Sequence, residues 1–305
     1  MELHFLGTGA GMPSMRRNVS ALALRMASHG GRVWLFDCGE ATQHQILKSP
    51  VKLSKLDKLF VTHLHGDHIF GLPGLLGSRA FQGGEAPLTL YGPSGLRQFV
   101  QTALAVAETQ LPYPLHFVEV VDGMTFAADP FTVEVARLEH RIDSFGYRLC
   151  EHPAPGKLQA ARLRADGVPP GPLYRRLKRG ETVVLPDGRT IDGRDYVALP
   201  VPGRQLAILG DTRYCEAAVQ LARNADVLVH EATFARAEAA LAAKYYHATA
   251  LDAARVASDA GVGTLILTHI SARYEGAANE LLAEAEQVFP NTYIAHDLWS
   301  YELPK

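Results

Sequence analysis

The residues best equipped for chemistry lie at 59–68, Leu-Phe-Val-Thr-His-Leu-His-Gly-Asp-His. Leu59 to Thr62 read as a short buried strand, and three histidines and an aspartate follow within six positions. His63 and His65, two apart, can point the same way where a strand gives out, while Asp67 and His68 lie one turn further on. The pattern can supply two neighbouring groups of nitrogen and oxygen ligands, which suits a borderline divalent ion such as zinc. Gly66 is read as the tight bend between the two pairs. A His-rich surface loop is the plainer alternative. Placement directly after a strand, with partner residues recurring downstream, favours a metal site.

Those downstream partners also sit at strand ends. Leu206-Ala-Ile-Leu-Gly-Asp211, Ala225-Asp-Val-Leu-Val-His230 and Thr264-Leu-Ile-Leu-Thr-His269 are short apolar runs closing on a potential ligand, and a strand at 131–138 runs out at His140. Helical stretches at 214–224, 235–245 and 249–260 separate the later runs. In the first half, strands are expected at 2–8, 33–37, 88–91, 115–121 and 143–149, with helices at 41–48, 72–81 and from Gly95 to about Glu108. Strands alternating with helices, with functional groups at strand ends, indicate a layered α/β architecture.

Bulk properties narrow the function. At 305 residues and 47% hydrophobic, the chain can bury a full core as one large domain with or without an insert. The first residues read as a strand rather than a signal peptide, and no run of eighteen apolar residues exists, so no membrane association is expected. Three widely spaced cysteines, Cys38, Cys150 and Cys215, fit free thiols in a reducing, cytoplasmic setting. The formal net charge of −2 excludes a generally basic nucleic-acid coat. Charge is segregated, however. Residues 157–194 hold nine basic and four acidic side chains, a net +5 that leaves −7 on the remainder. From Pro153 to Gly203 periodicity fades, and the stretch 168–180 looks too polar and turn-rich to be core.

The motif His-x-His-x-Asp-His after a strand resembles the metallo-β-lactamase superfamily. Phe36-Asp-Cys-Gly-Glu-Ala-Thr-Gln43, Phe70-Gly-Leu-Pro-Gly-Leu75, Gly210-Asp-Thr212, His230-Glu-Ala-Thr233 and Thr268-His-Ile-Ser-Ala-Arg-Tyr274 narrow the resemblance to the ribonuclease Z family, over essentially the whole chain. That resemblance implies an αββα sandwich as a single domain over 1–305, with 153–203 as an inserted flexible arm, an exosite. It implies a two-metal endonuclease that removes the 3′ trailer of precursor tRNA after the discriminator nucleotide and leaves a 3′-hydroxyl. Exonuclease and small phosphodiesterase side activities are compatible with it.

The family correspondence places His63, His65 and His140 on one metal and Asp67, His68 and His269 on a second, with Asp211 bridging. Two Zn2+ per subunit are expected, with Mn2+ or Co2+ as alternatives. Asp67 would also orient or deprotonate the attacking water. His247 would donate to the phosphate or the leaving group, and Glu231 would hold His247 charged. The family motif Pro-x-Lys-x-Arg-Asn appears here as Pro13-Ser-Met-Arg-Arg-Asn18, with Met15 at the lysine position. Arg17 and Asn18 are therefore expected at the RNA, and treatment of CCA-bearing ends is left open. In the arm, Gly171, Pro172, Arg175, Arg176, Lys178 and Arg179 would grip the tRNA body, and Arg273 would touch substrate. A homodimer is implied, the arm of one subunit serving the site of the other. The alternatives are a small-molecule phosphodiesterase of the same superfamily, which would not need the basic arm, and an RNA-binding protein with a silent metal site.

Overall fold

Two seven-stranded sheets face each other, and the apolar residues of their strands meet between them. The structure, a computed structural model, describes residues 1–304. From edge to edge the first sheet runs Ser300–Glu302, Glu2–Gly7, Ala21–Met26, Arg32–Phe36, Leu56–Phe60, Leu88–Gly92 and Leu115–Glu119. The second runs Thr292–Ile294, Thr264–Thr268, Val227–Glu231, Gln205–Ile208, Ser144–Glu151, Phe131–Leu138 and Thr125–Ala128. Phe5, Trp34, Phe36 and Phe60 of the first meet Phe131, Tyr147 and Val229 of the second in one continuous core.

Each sheet carries helices on its outer face. Leu72, Leu75 and Leu76 of the helix Leu72–Phe81 and Leu96 and Val100 of Leu96–Val106 pack on the first sheet. On the second, alanine-rich helices at Glu216–Ala222 and Ala250–Ala260 lie down through Ala218, Ala222, Ala253 and Ala257. Short side chains let a helix approach a sheet closely without losing buried apolar area. The helix Ala250–Ala260 is delimited by its own chemistry. Thr249 and Asp252 form a reciprocal capping box at its start, and Gly261, at φ +65°, ends it. The four layers are the expected αββα sandwich.

Direction of the strands positions the site. Gln205–Ile208, Val227–Glu231 and Thr264–Thr268 are parallel neighbours, and the antiparallel steps through Ser144–Glu151 return Phe131–Leu138 to the same direction. Their carboxyl ends therefore open onto one edge of the sandwich, where ligands bind in open α/β sheets. Tyr147 ties the two sheets there, donating its hydroxyl to the Val61 carbonyl at 2.6 Å.

Several elements escaped the sequence reading: the strands Ala21–Met26, Thr125–Ala128 and Ser300–Glu302 and the helix Ala278–Glu286. Residues 154–201 leave the second sheet through a paired stem, with Ala154 opposite Val201 and Leu158 opposite Val197. Beyond it lie helices Ala160–Ala165 and Leu173–Lys178 and a hairpin of Thr182–Val184 with Thr190–Asp192. Contrary to expectation, this region has a core of its own, built from Leu163, Val168, Leu177, Val183, Leu185, Ile191 and Tyr196. Its apolar residues are too few and too irregularly spaced to show a period in sequence, yet they converge once the hairpin closes. Among the described residues, no helix is long and apolar enough to cross a membrane.

Candidate metal centre and active site

The strand Leu56–Phe60 runs through Val61 and Thr62 to His63, and the helix Gly66–Ile69 then carries Asp67 and His68. Gly66 has no left-handed backbone; what it lacks is a Cβ that would strike the Phe70 ring. The close approach that matters lies elsewhere. A Cβ on Gly39 would lie 2.3 Å from the Asp67 carbonyl oxygen, and one on Gly71 would lie 2.0 Å from that of Gly39. The two loops are stitched by backbone bonds from Cys38 to His68 and from Gly71 to Cys38.

Side chains from four strand ends and the short helix Gly66–Ile69 meet at the sandwich edge. His63, His65, His140 and Asp211 form one group able to hold a metal ion, and Asp67, His68 and His269 form an adjacent one. All seven expected ligands are thereby brought together. His63 Nε2 lies 3.0 Å from His65 Nδ1, which lies 3.2 Å from His140 Nε2. His269 Nε2 lies 3.3 Å from His68 Nε2, from Asp67 Oδ2 and from Asp211 Oδ2. Asp211 sits between the groups, with Oδ2 3.6 Å from His63 and Oδ1 3.5 Å from His68. For a tetrahedral ion with bonds near 2.1 Å, ligand atoms stand about 3.4 Å apart. Nitrogen and carboxylate atoms at this spacing fit divalent ions.

The far nitrogen of four of these histidines is held by the chain. His68 Nδ1 meets Asp37 at 2.7 Å, His269 Nδ1 meets Thr233 Oγ1 at 2.8 Å, His140 Nδ1 meets the Tyr246 carbonyl at 2.9 Å, and His63 Nδ1 meets Thr62 Oγ1 at 3.0 Å. Such partners set ring orientation and tautomer and strengthen the ligating nitrogen. Asp37 also accepts the Thr62 N–H and hydroxyl, so one carboxylate organises both sides of the motif. Asp37 (φ +56°) and His269 (φ +56°) both hold left-handed backbone, a local strain common at functional sites. Sequence reading missed Asp37. Its signals were an acidic residue ending a buried strand and its place in the stretch 36–43, neither of which named a role for it.

Electrostatics point the same way. Burial opposes charge on His68, yet Asp211 and Asp37 raise it well above the ordinary histidine value. Burial and the neighbouring His68 push His63 well below it. The cluster thus calls for positive charge between the rings but cannot place a proton on each of them; metal ions meet that demand. Burial also opposes charge on Asp67, yet His269 and His68 hold its carboxyl well below the usual range. Its Oδ2 accepts the Gly11 N–H at 2.7 Å, which pins the glycine-rich loop over the centre.

His247, at the start of the turn into Ala250–Ala260, lines the same cleft. Its Nδ1 lies 2.9 Å from Glu231 Oε1. Burial disfavours the imidazolium, but Glu231 raises it to about 9. Glu231 is fully buried and also accepts from Thr212 N, Thr233 Oγ1 and Ala248 N. His230 is buried outside the metal groups, its Nδ1 on the Glu231 carbonyl.

The loop 13–18 departs from expectation. Arg17 turns inward, its guanidinium bonded to Thr8 Oγ1 and the Ala295 carbonyl, and the Asn18 amide holds the Glu40 carbonyl. Asp297, which no motif singled out, clamps this loop by accepting from Thr8, Asn18 and Gln45. Arg17 and Asn18 therefore set the loop's shape, and Met15 is 95% exposed on it. Arg273 lies over the Phe234 ring at the cleft, while the Tyr274 hydroxyl is occupied by Ala235 and Glu238. Gly171, Pro172, Arg175, Arg176, Lys178 and Arg179 are all exposed on the arm, remote in sequence from the centre. Of the four basic residues, Arg176 is engaged by Glu181 at 2.8 Å.

Comparison with known proteins agrees with this geometry. Residues 1–150 match a family model described as anti-Pycsar protein Apyc1, and residues 196–270 match one described as beta-lactamase superfamily domain. The chain is 57% identical to a ribonuclease Z of Geobacillus kaustophilus over 306 residues, covering all of both chains. It is 58% identical to a ribonuclease Z of Limosilactobacillus fermentum, covering 100% of this chain and 99% of that one. Among solved structures, the short form of human tRNase Z superposes with a TM-score of 0.73 at 30% identity, with both chains fully covered. With its ligand set assembled at the sheet edge and relatives of this similarity along its entire length, the chain belongs to the ribonuclease Z family, on the metallo-β-lactamase fold.

Proposed function

We propose that this protein is a tRNA 3′-processing endonuclease that hydrolyses the phosphodiester after the discriminator nucleotide of precursor tRNA, leaving a 3′-hydroxyl. The observation that carries it is the convergence of His63, His65, Asp67, His68, His140, Asp211 and His269 in a chain aligned end to end with ribonucleases Z. These residues would hold two Zn2+ per subunit. When bound, such ions make a water nucleophilic near neutral pH and offset charge on the attacked phosphate.

The chain's own groups do the rest. Asp67, fixed through Oδ2 by Gly11, has Oδ1 without a hydrogen bond among the described residues, so that oxygen can orient the attacking water and accept its proton. His247 lines the cleft with Nδ1 held by Glu231 and Nε2 without a hydrogen bond among the described residues, so the imidazolium can donate to the departing 3′ oxygen. Glu231 acts through His247 and is a positioning residue. The arm 153–203, one insert in a single catalytic domain, would bind the tRNA body through phosphate contacts made by Arg175, Lys178 and Arg179. The free thiols of Cys38, Cys150 and Cys215 support a cytoplasmic setting.

The test is cleavage of an end-labelled precursor tRNA beside a nitrophenyl phosphodiester. Wild type should cut the precursor once, after the discriminator, and Asp67→Ala should cut neither substrate. His247→Ala should slow precursor cleavage by about a hundredfold or more. It should slow the nitrophenyl diester less, because nitrophenolate leaves without a proton. The Ala198 N–H bonds to the Lys157 carbonyl at 3.0 Å, so residues 158–197 can be replaced by a short linker without pulling the sheet apart. That excision should lower the ratio of precursor to small-diester kcat/KM. An unchanged ratio, or hydrolysis of the small diester alone by wild type, would install the small-molecule phosphodiesterase instead.

A further inference from the structure

The cleft above the metal centre encloses about 230 Å³. Asp67, His140, Asp211, His247 and His269 line it together with Tyr245 and Arg141. Tyr245 ends the helix Ala239–Tyr245 and remains 38% exposed. Its hydroxyl has no hydrogen-bond partner among the described residues, so neither burial nor a polar bond accounts for a ring at this place.

The backbone that carries the ring is nonetheless tied to the reacting groups. Tyr246, the next residue, turns through left-handed backbone at φ +60° and accepts His140 Nδ1 on its carbonyl at 2.9 Å. One residue further, His247 is pinned by Glu231. Two cations attend the ring: the Arg141 guanidinium lies 5.9 Å and Lys244 Nζ 5.4 Å from its centroid. Neither makes an ion pair among the described residues, so both are available to phosphate. A partly exposed aromatic ring with unpaired cations in a cleft is how single-stranded nucleic acid is held, bases stacking on rings and phosphates meeting charge.

We propose that Tyr245 is the stacking platform for a nucleobase flanking the scissile phosphate, making it a specificity-determining residue of the cleft. This rests on the tRNA-processing reading. It adds a base contact to a site otherwise built for phosphate, and it places that contact on the chain segment that orients His140 and His247.

The test compares kcat/KM for the intact precursor with two precursors lacking one base, at the discriminator or at the nucleotide after it. Wild type should lose about fivefold or more on one of the two abasic substrates. Tyr245→Ala should treat that substrate and the intact precursor alike, and Tyr245→Phe should keep the discrimination, since the ring rather than the hydroxyl stacks. A Tyr245→Ala variant slowed equally on all three substrates, with the wild-type ratios preserved, would overturn the proposal, as would a wild type indifferent to both missing bases. Failure of wild type to cut the intact precursor would remove the tRNA reading and the stacking proposal with it. Intact cutting with unmoved ratios would remove the stacking proposal alone.

Discussion

Asp37 shows how much of this site depends on residues that touch no metal. Its carboxylate receives His68 Nδ1, the Thr62 amide and the Thr62 hydroxyl, so it aims a ligand of one metal group and braces the strand end that carries a ligand of the other. Asp37→Asn preserves shape but removes the charge and puts an N–H where an acceptor stood. Metal affinity should fall about ten- to a hundredfold, the usual cost of losing such an orienting partner. Competition with a chromophoric chelator measures this directly, and unchanged affinity would mean that packing alone orients His68. Glu231 plays the corresponding part on the other side of the cleft, where four protein donors converge on one buried carboxylate.

At the scale of elements, the arm is the informative case. It joins the second sheet through a paired stem, holds its own small core, and turns the helix Leu173–Lys178 outward. Arg175, Lys178 and Arg179 fall three and four positions apart, so they share one face of that helix. None of them forms an ion pair among the described residues, unlike Arg176, which Glu181 neutralises. Three unpaired cations on one face suit a run of phosphates. Replacing all three by alanine should weaken precursor binding and flatten the dependence of log affinity on log salt, by about 0.7–0.9 for each phosphate that is no longer neutralised. Binding titrations at several salt concentrations measure the slope. An unchanged slope would detach the arm from RNA binding.

For the whole molecule, the question is how one arm reaches one cleft. The proposal inherited from the family is a homodimer in which each arm serves the partner's site. Mixing arm-excised subunits with Asp67→Ala subunits decides it, because only mixed dimers would pair an intact centre with an arm from the other chain. Random exchange should restore about a quarter of wild-type precursor cleavage. No recovery, with mixed dimers demonstrated by sedimentation or mass spectrometry, would mean that each arm serves its own cleft or none. The same mixture tested on the nitrophenyl diester monitors the number of intact centres.

The metal-binding motif and the strand-end candidates were legible in the chain because they follow short-range rules, whereas the sandwich and the sharing of ligands between two metals came from the family resemblance. Apolar runs closing on His63, Asp211 and His269 announce strands whose ends carry function, and a strand directs its end residues predictably. Resemblance then supplied His140, which alone would have passed for a loop residue. What the tertiary structure decided is everything that depends on distant segments meeting. Asp37 acquires its role only because the strand Arg32–Phe36 lies beside Leu56–Phe60, and Asp297 reaches the loop 13–18 across nearly the full length of the chain. The same holds for Arg17, whose side chain looked available in sequence and is consumed by Thr8 and Ala295. It holds for the arm's core, whose scattered leucines and valines carry no period until a hairpin gathers them. A periodic pattern records which face of an element is buried. Which buried polar group answers which other is set by long-range packing, and no local pattern encodes it.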